Sequence, residues 1–178
     1  MMVGMPHLTR AEAAARAEII DVDAYEVDLD VTRGETFRSR TVLTFRARPD
    51  TATFVELEPV TLLSATLNGR ALDPSTLAGG RLPLSGLSAR NELLVEAEMA
   101  YSNTGEGLHR FVDPADGQVY LYAHTFLDSG RRIFACFDQP DLKAPYRLTV
   151  TAPEGWAVVG NQPTPEPVPA GRSGPVPC

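Results

Sequence analysis

The chain reads as an all-β protein, an antiparallel β-sandwich with one short helix at its amino-terminal end. Three observations predict this. Apolar and polar residues alternate with period two in several separate stretches, as in Tyr25, Val27, Leu29 and Val31 against Glu26, Asp28 and Asp30. Turn signals recur at short intervals, at Arg33-Gly34-Glu35, Asn68-Gly69 and Gly79-Gly80. Helix-favouring sequence is concentrated in a single alanine-rich stretch near the start.

Composition limits the function classes. A chain of 178 residues is long enough for one domain with a real core, and 43% hydrophobic with 22% charged residues is a globular balance. The formal charge of −7 argues against binding nucleic acid by bulk electrostatics. No apolar run reaches the length of a membrane span and the start lacks a signal-peptide core, so a cytoplasmic protein is expected. Cys136 and Cys178 are too few for a disulfide framework or a structural zinc site and are read as free thiols. With no P-loop, dinucleotide fingerprint or nucleophile elbow, no cofactor is predicted.

In chain order, residues 1–7 read as a disordered leader, 8–162 as a single sandwich domain and 163–178 as a mobile proline-rich tail. The spacing predicts a helix over 9–20, because Thr9 and Glu12 have capping-box spacing and Ala11, Ala13, Ala14, Ala15 and Ala17 follow. Its thin apolar stripe makes it a surface element. The strand at 25–31 is answered by one at 37–47, with Phe37, Leu43 and Phe45 on one face and Arg38, Arg40 and Arg46 on the other. Acidic and basic outer faces on neighbouring strands predict cross-strand pairing. Strands follow at 53–57 and 60–67, then a hairpin at Asn68-Gly69, short edge pieces at Leu72 and 82–84, and a long strand at 93–101. Tyr146, Leu148 and Val150 form a strand facing the core, and Trp156 begins another over 156–159. Alternate prolines from Pro163 to Pro169, with Pro175 and Pro177, bias the end of the chain to extension.

The stretch 119–143, VYLYAHTFLDSGRRIFACFDQPDLK, carries the most chemistry. An alternating strand over 119–122 leads to His124, Asp128 and the twin Arg131-Arg132. It reads either as a core hairpin with charges paired at its rim or as the wall of a cleft. If the strand persists, His124, Phe126 and Asp128 share one face. Before it, the glycine-rich loop 102–117 holds Glu106-x-x-His109. The flanking Gly105 and Gly107 disfavour a helix and no third ligand has suitable spacing, so His109 and Arg110 are read as docking the loop on the sandwich, with no metal site. Cys136, between Ala135 and Phe137, is read as a core residue.

Gly105-Glu106-Gly107-Leu108-His109-Arg110-Phe111, Asp113-Pro114, Tyr120-Leu121-Tyr122, Arg131-Arg132 and Phe137-Asp138-Gln139-Pro140-Asp141-Leu142-Lys143-Ala144 also carry a resemblance. In this order they resemble the amino-terminal domain of the M1-family zinc aminopeptidases, closest to the actinobacterial type. The resemblance extends through Thr149 to Trp156 and back to Leu8-Thr9-Arg10-Ala11-Glu12-Ala13. It implies the sandwich fold and a position beside a substrate pocket for the strand that begins at 119–122 and its continuation. That family normally has Thr-Gln-Phe-Glu after the tyrosine, with the glutamate helping to hold the free α-amine of a peptide. Anchoring on Tyr122 and Arg131-Arg132 puts His124 in place of the glutamine and Phe126 in place of the glutamate, so the amine anchor is not carried over. The catalytic motifs Gly-x-Met-Glu-Asn and His-Glu-x-x-His are absent from this sequence, whose histidines are His7, His109 and His124.

Two expectations follow. In the first, the chain is a truncated M1-like amino-terminal domain that is not a peptidase on its own and pairs with itself or with a catalytic-domain-like partner. In the second, it is a reshaped domain that binds or converts a small apolar or aromatic molecule. His124 and Asp128 would then supply acid–base chemistry, and Tyr122, Phe126, Arg131 and Arg132 would bind the ligand.

Overall fold

The computed structural model describes residues 7–170. The reading of 1–7 as a leader therefore lies outside the described residues except at His7, as does the end of the proline-rich tail. Helix α1 (Arg10–Ala17) opens the fold, and the predicted capping box is formed: Thr9 accepts from the Glu12 amide while the Glu12 carboxylate accepts from the Thr9 amide at 2.9 Å. The helix stops earlier than the sequence suggests. Ile19 and Ile20, β-branched and poor helix formers, pass directly into strand β1 (Ile20–Asp30).

Strand β1 pairs antiparallel with β2 (Thr36–Ala47). A bulge between Val22 and Ala24 shifts the phase, so Ile20 and Val22 face inward before it and Tyr25, Val27 and Leu29 after it. Strand β3 (Ala52–Glu56) leaves this sheet, and β4 (Thr61–Leu67) returns to it. The hairpin at Asn68-Gly69 forms as predicted, with φ of 52° and 76°, and leads into β5 (Arg70–Ala71). Strand β6 (Arg81–Ser85) pairs with β3, and β7 (Arg90–Ala100) lies between β2 and β4. Strands β8 (Gly107–Val112) and β9 (Val119–His124) make a separate hairpin, and β10 (Tyr146–Thr151) adds to the outer side of β1. The main sheet has the order β10-β1-β2-β7-β4-β5. It is mixed, not wholly antiparallel, because β10 runs parallel to β1.

Three layers result. The inner face of the main sheet, with Phe37, Leu43, Phe45, Leu93, Val95 and Met99, packs into one core with Val55, Leu82 and Leu84 of β3 and β6. Residues 82–84 lie as expected in a short edge strand, since β3 and β6 form a two-stranded sheet, yet Leu82 and Leu84 are completely buried. Segment 133–137 joins the same core, with Phe137 edge-on to Phe45 at 5.3 Å and its amide donating to the Tyr25 hydroxyl. Helix α1 covers the other face of β3 and β6. It is a surface element as expected, with Arg16 as the exception. Arg16 is buried, forms two hydrogen bonds of 2.6 and 2.7 Å to buried Glu56, and lies 4.5 Å from the Phe54 ring centroid. Arg81 approaches the same ring at 4.3 Å and pairs with Glu12 at 2.6 Å.

The opposite face of the main sheet is wet and charged. Register places Asp28 opposite Arg40 and Asp21 opposite Arg46, and both pairs form salt bridges. Arg40 also faces Glu96 of β7 at 3.8 Å. Strand β10 departs from expectation. Tyr146 and Leu148 are exposed, since β10 is the last strand of the sheet and is covered from one side only. No strand forms over 156–159, where the chain turns through a Trp156 amide to Pro153 carbonyl hydrogen bond.

Candidate functional site

The site lies along hairpin β8–β9 and the loop that follows it. Directly opposed residues of an antiparallel pair point to one face. Here the opposed pairs are Phe111 with Tyr120, His109 with Tyr122 and Gly107 with His124. That face is a row of rings. The other face carries Leu108 and Leu121, which pack on the core. The strand that looks buried in the sequence is therefore exposed on its ring face: Tyr120 and Tyr122 each keep 50% of their surface, and Phe111 keeps 47%. Alternation marked two faces correctly, but no second layer covers the aromatic one.

His109 ties its loop to the hairpin. Its Nδ1 accepts from the Gly105 amide at 3.1 Å, and its ring lies on Tyr122 with centroids 4.7 Å apart. Glu106 turns away from it and pairs with Arg132 at 3.0 Å. Among the described residues no three His, Cys, Asp or Glu side chains come together to hold a metal ion.

Strand β9 ends at His124, so the shared strand face expected for His124, Phe126 and Asp128 does not form. A turn replaces it. Phe126 adopts φ of 44°, a left-handed conformation unusual for a bulky residue, and its ring returns over the His124 imidazole at 3.6 Å between centroids. Both rings are exposed. His124 makes no side-chain hydrogen bond to another described residue. Asp128 instead pairs with His7 at 2.9 Å. The arrangement thus offers a stacking surface, and no carboxylate of a described residue orients His124.

The twin arginines bind protein groups. Arg131 is buried and its Nε donates to Glu58, while the Glu58 amide donates to the Arg131 carbonyl at 2.9 Å. Arg132 spans Glu58 at 3.4 Å and Glu106 at 3.0 Å. They fasten the 3-10 turn at Gly130–Arg132 to both the sandwich and the hairpin. Gly107 is required here. Its φ is 69°, and a Cβ added to it would lie 3.0 Å from the Arg132 Cβ.

Sequence reasoning missed the buried acids and their partners. Glu56 holds Arg16 and also accepts from the Asp138 amide at 3.3 Å. Asp138 accepts from the Arg131 amide at 3.2 Å, and burial, aided by the nearby Glu56 charge, pushes its carboxyl up to about 6. Burial also raises the Cys136 thiol well above its ordinary range, which fits a core residue and not a reactive thiolate. A glutamate set between Val55 and Leu57 was the available signal, since such a group needs a cation if it is buried.

No family model matches the chain. It is 51% identical over 167 residues to aminopeptidase N of Streptomyces lividans, covering 90% of this chain and 20% of that relative. The chain thus spans about a fifth of the relative's length. Among solved structures, yeast LTA4 hydrolase in complex with bestatin superposes with a TM-score of 0.63 at 15% identity, over 77% of this chain and 24% of that one. The M1 zinc metallopeptidase E323A mutant of Deinococcus radiodurans gives 0.58 at 19% identity, over 76% and 33%. At these identities the structures speak for the fold, and the Streptomyces relative speaks for descent. On both together, the chain belongs with the M1 aminopeptidases and corresponds to their amino-terminal β-domain.

Proposed function

We propose that the chain serves as the β-domain of an M1-type aminopeptidase, packing its ring-bearing hairpin against a catalytic portion that supplies the zinc chemistry. The observation that carries this reading is the exposed aromatic face of β8–β9 on a chain matching one fifth of aminopeptidase N. Large exposed apolar patches mark interaction surfaces. The residues of this chain do not fit a catalytic zinc. Such a metal needs three protein ligands and a position for water, and neither a ligand trio among the described residues nor a His-Glu-x-x-His in the sequence supplies them. No catalytic step is therefore assigned to this chain.

In this reading His124 and Phe126 present a stacked pair of rings where the family has an amide and a carboxylate. Tyr122 flanks it, and Arg131 and Arg132 hold the loop in place. The test is direct. The purified chain should bind no stoichiometric zinc and leave aminoacyl arylamides intact. The rest of the Streptomyces relative, produced separately, should bind it, and a Tyr122→Ser, Phe126→Ser double variant should lose that binding. Absence of binding by the unmodified chain, or chelator-sensitive arylamide cleavage by it alone, overturns the proposal.

A further inference from the structure

The 3-10 turn at Gly130–Arg132 is the joint between sandwich and hairpin, and one ionisable group underlies it. Asp138 accepts a hydrogen bond from the Arg131 amide at 3.2 Å, and its own amide donates to Glu56 at 3.3 Å. The carboxyl is wedged against the turn: a Cβ added to Gly130 would lie 3.2 Å from Asp138 Oδ1. The surrounding charges are already committed. From α1, Arg16 is spent on Glu56 of β3; within the turn, Arg131 is spent on Glu58; in the preceding loop, Asp128 pairs with His7. The Cys136 thiol, buried and held in its neutral form, completes the surroundings. Among the described residues no cation lies within salt-bridge distance of Asp138, while Glu56 stands beside it.

Half-burial disfavours the charged form of this carboxyl, and the Glu56 and Asp128 charges add to that; the Arg131 amide and guanidinium favour the charged form but are outweighed. We propose that Asp138 is a proton-operated fastener: neutral, it holds the Gly130–Arg132 turn on the sandwich; ionised, it loosens that turn and frees the β8–β9 hairpin to shift. The mechanical path is short. Arg132 of the turn grips Glu58 and Glu106, and its Cβ sits against Gly107 at the first residue of β8. Movement of the turn therefore reaches the end of the hairpin that carries His124, the register partner of Gly107.

The sign follows from the raised value. A carboxyl at about 6 in the folded chain, against an ordinary 3.8, favours the fastened state at low pH and loses that contribution as pH rises through about 6. Amide hydrogen exchange of residues 130–133, corrected for intrinsic rates, reads it in the intact chain. Local opening should increase on the order of tenfold between pH 5 and 7.5, since each unit of pKa difference is a tenfold change. Asp138→Asn keeps an acceptor for the Arg131 amide without the charge, and its exchange should be independent of pH over this range. Flat protection in the unmodified chain, or the same rise in the variant, overturns the proposal. Should the variant fail to fold, carbon-13 titration of the Asp138 carboxyl in the unmodified chain decides: a midpoint near 6 supports the fastener and one below 5 overturns it.

Discussion

The main sheet and the β8–β9 hairpin follow the same period-two rule and reach opposite outcomes. In β2 and β7 the apolar half of the alternation is buried completely, at Phe37, Leu43, Phe45, Leu93 and Met99. In the hairpin the ring-bearing half stays half exposed, at Phe111, Tyr120 and Tyr122. The difference lies in what sits opposite. The main sheet has β3 and β6 against it, and those strands are in turn covered by α1. The hairpin has the core on its Leu108 and Leu121 side and no described residue stacked as a layer on the other. Burial is thus a property of the layer pair and not of the strand. The energetic weight of the fold should fall on the sandwich, while the hairpin's rings stay half exposed.

The comparison breaks first, if it breaks, at the interior. Phe45→Ala should cost about 3–5 kcal/mol, as cavities left by buried aromatics do. Glu56→Ala should cost about as much, because it strands the buried Arg16 without its carboxylate. Urea denaturation of the two variants checks this, and a loss below about 1 kcal/mol for Glu56→Ala would return α1 to the status of a surface appendage.

The hairpin sharpens the comparison in the other direction. His124→Ala should leave the thermal midpoint nearly unchanged, since its side chain makes no hydrogen bond to a described residue. Phe126→Gly should keep or raise stability by up to about 1 kcal/mol, because glycine adopts φ near 44° without the clash that a side chain meets. Both changes should weaken binding of a catalytic partner. Thermal melts and a binding titration on the same samples separate the outcomes: a destabilised His124→Ala protein that still binds fully would make His124 a structural residue.

The smallest effects belong to the wet surface and to pH. Arg46→Ala removes exposed ion pairs to Asp21 and Asp23 and should cost less than about 1 kcal/mol, diminishing further in salt. Glu12 carries a pH signature. Its hydrogen bonds from Arg81 and Thr9 hold the carboxyl down to about 2. Its contribution is present above the ordinary carboxylate value of 4.5 and is lost as pH falls through about 2. Acid titration of stability should therefore be shallower in Glu12→Gln than in the unmodified chain, in the opposite sense to Asp138.

Much of the architecture was legible because it depends on neighbours in sequence. The capping box at Thr9 and Glu12 spans three residues. The Asn68-Gly69 turn needs only two residues that tolerate positive φ, and the charged ladder of β1 and β2 follows from alternation plus one short turn. The order of motifs from Gly105 to Ala144 likewise sufficed to indicate the M1 domain. The remaining features depend on residues far apart in the chain. Arg16 and Glu56 are 40 positions apart, and Arg131 and Glu58 are 73 apart. Both look like solvated surface charges until α1 and the 3-10 turn close over β3 and the residues after it. Alternation could mark Tyr120 and Tyr122 as one face of a strand, but only the packing of layers decided that this face is exposed. Strand β9 could have continued to Asp128 by pattern alone. The left-handed turn at Phe126 ended it, and Asp128 was drawn to His7 instead. Local sequence set the elements and their faces; tertiary structure decided which faces and which charges lost water, because desolvation is determined by what packs opposite.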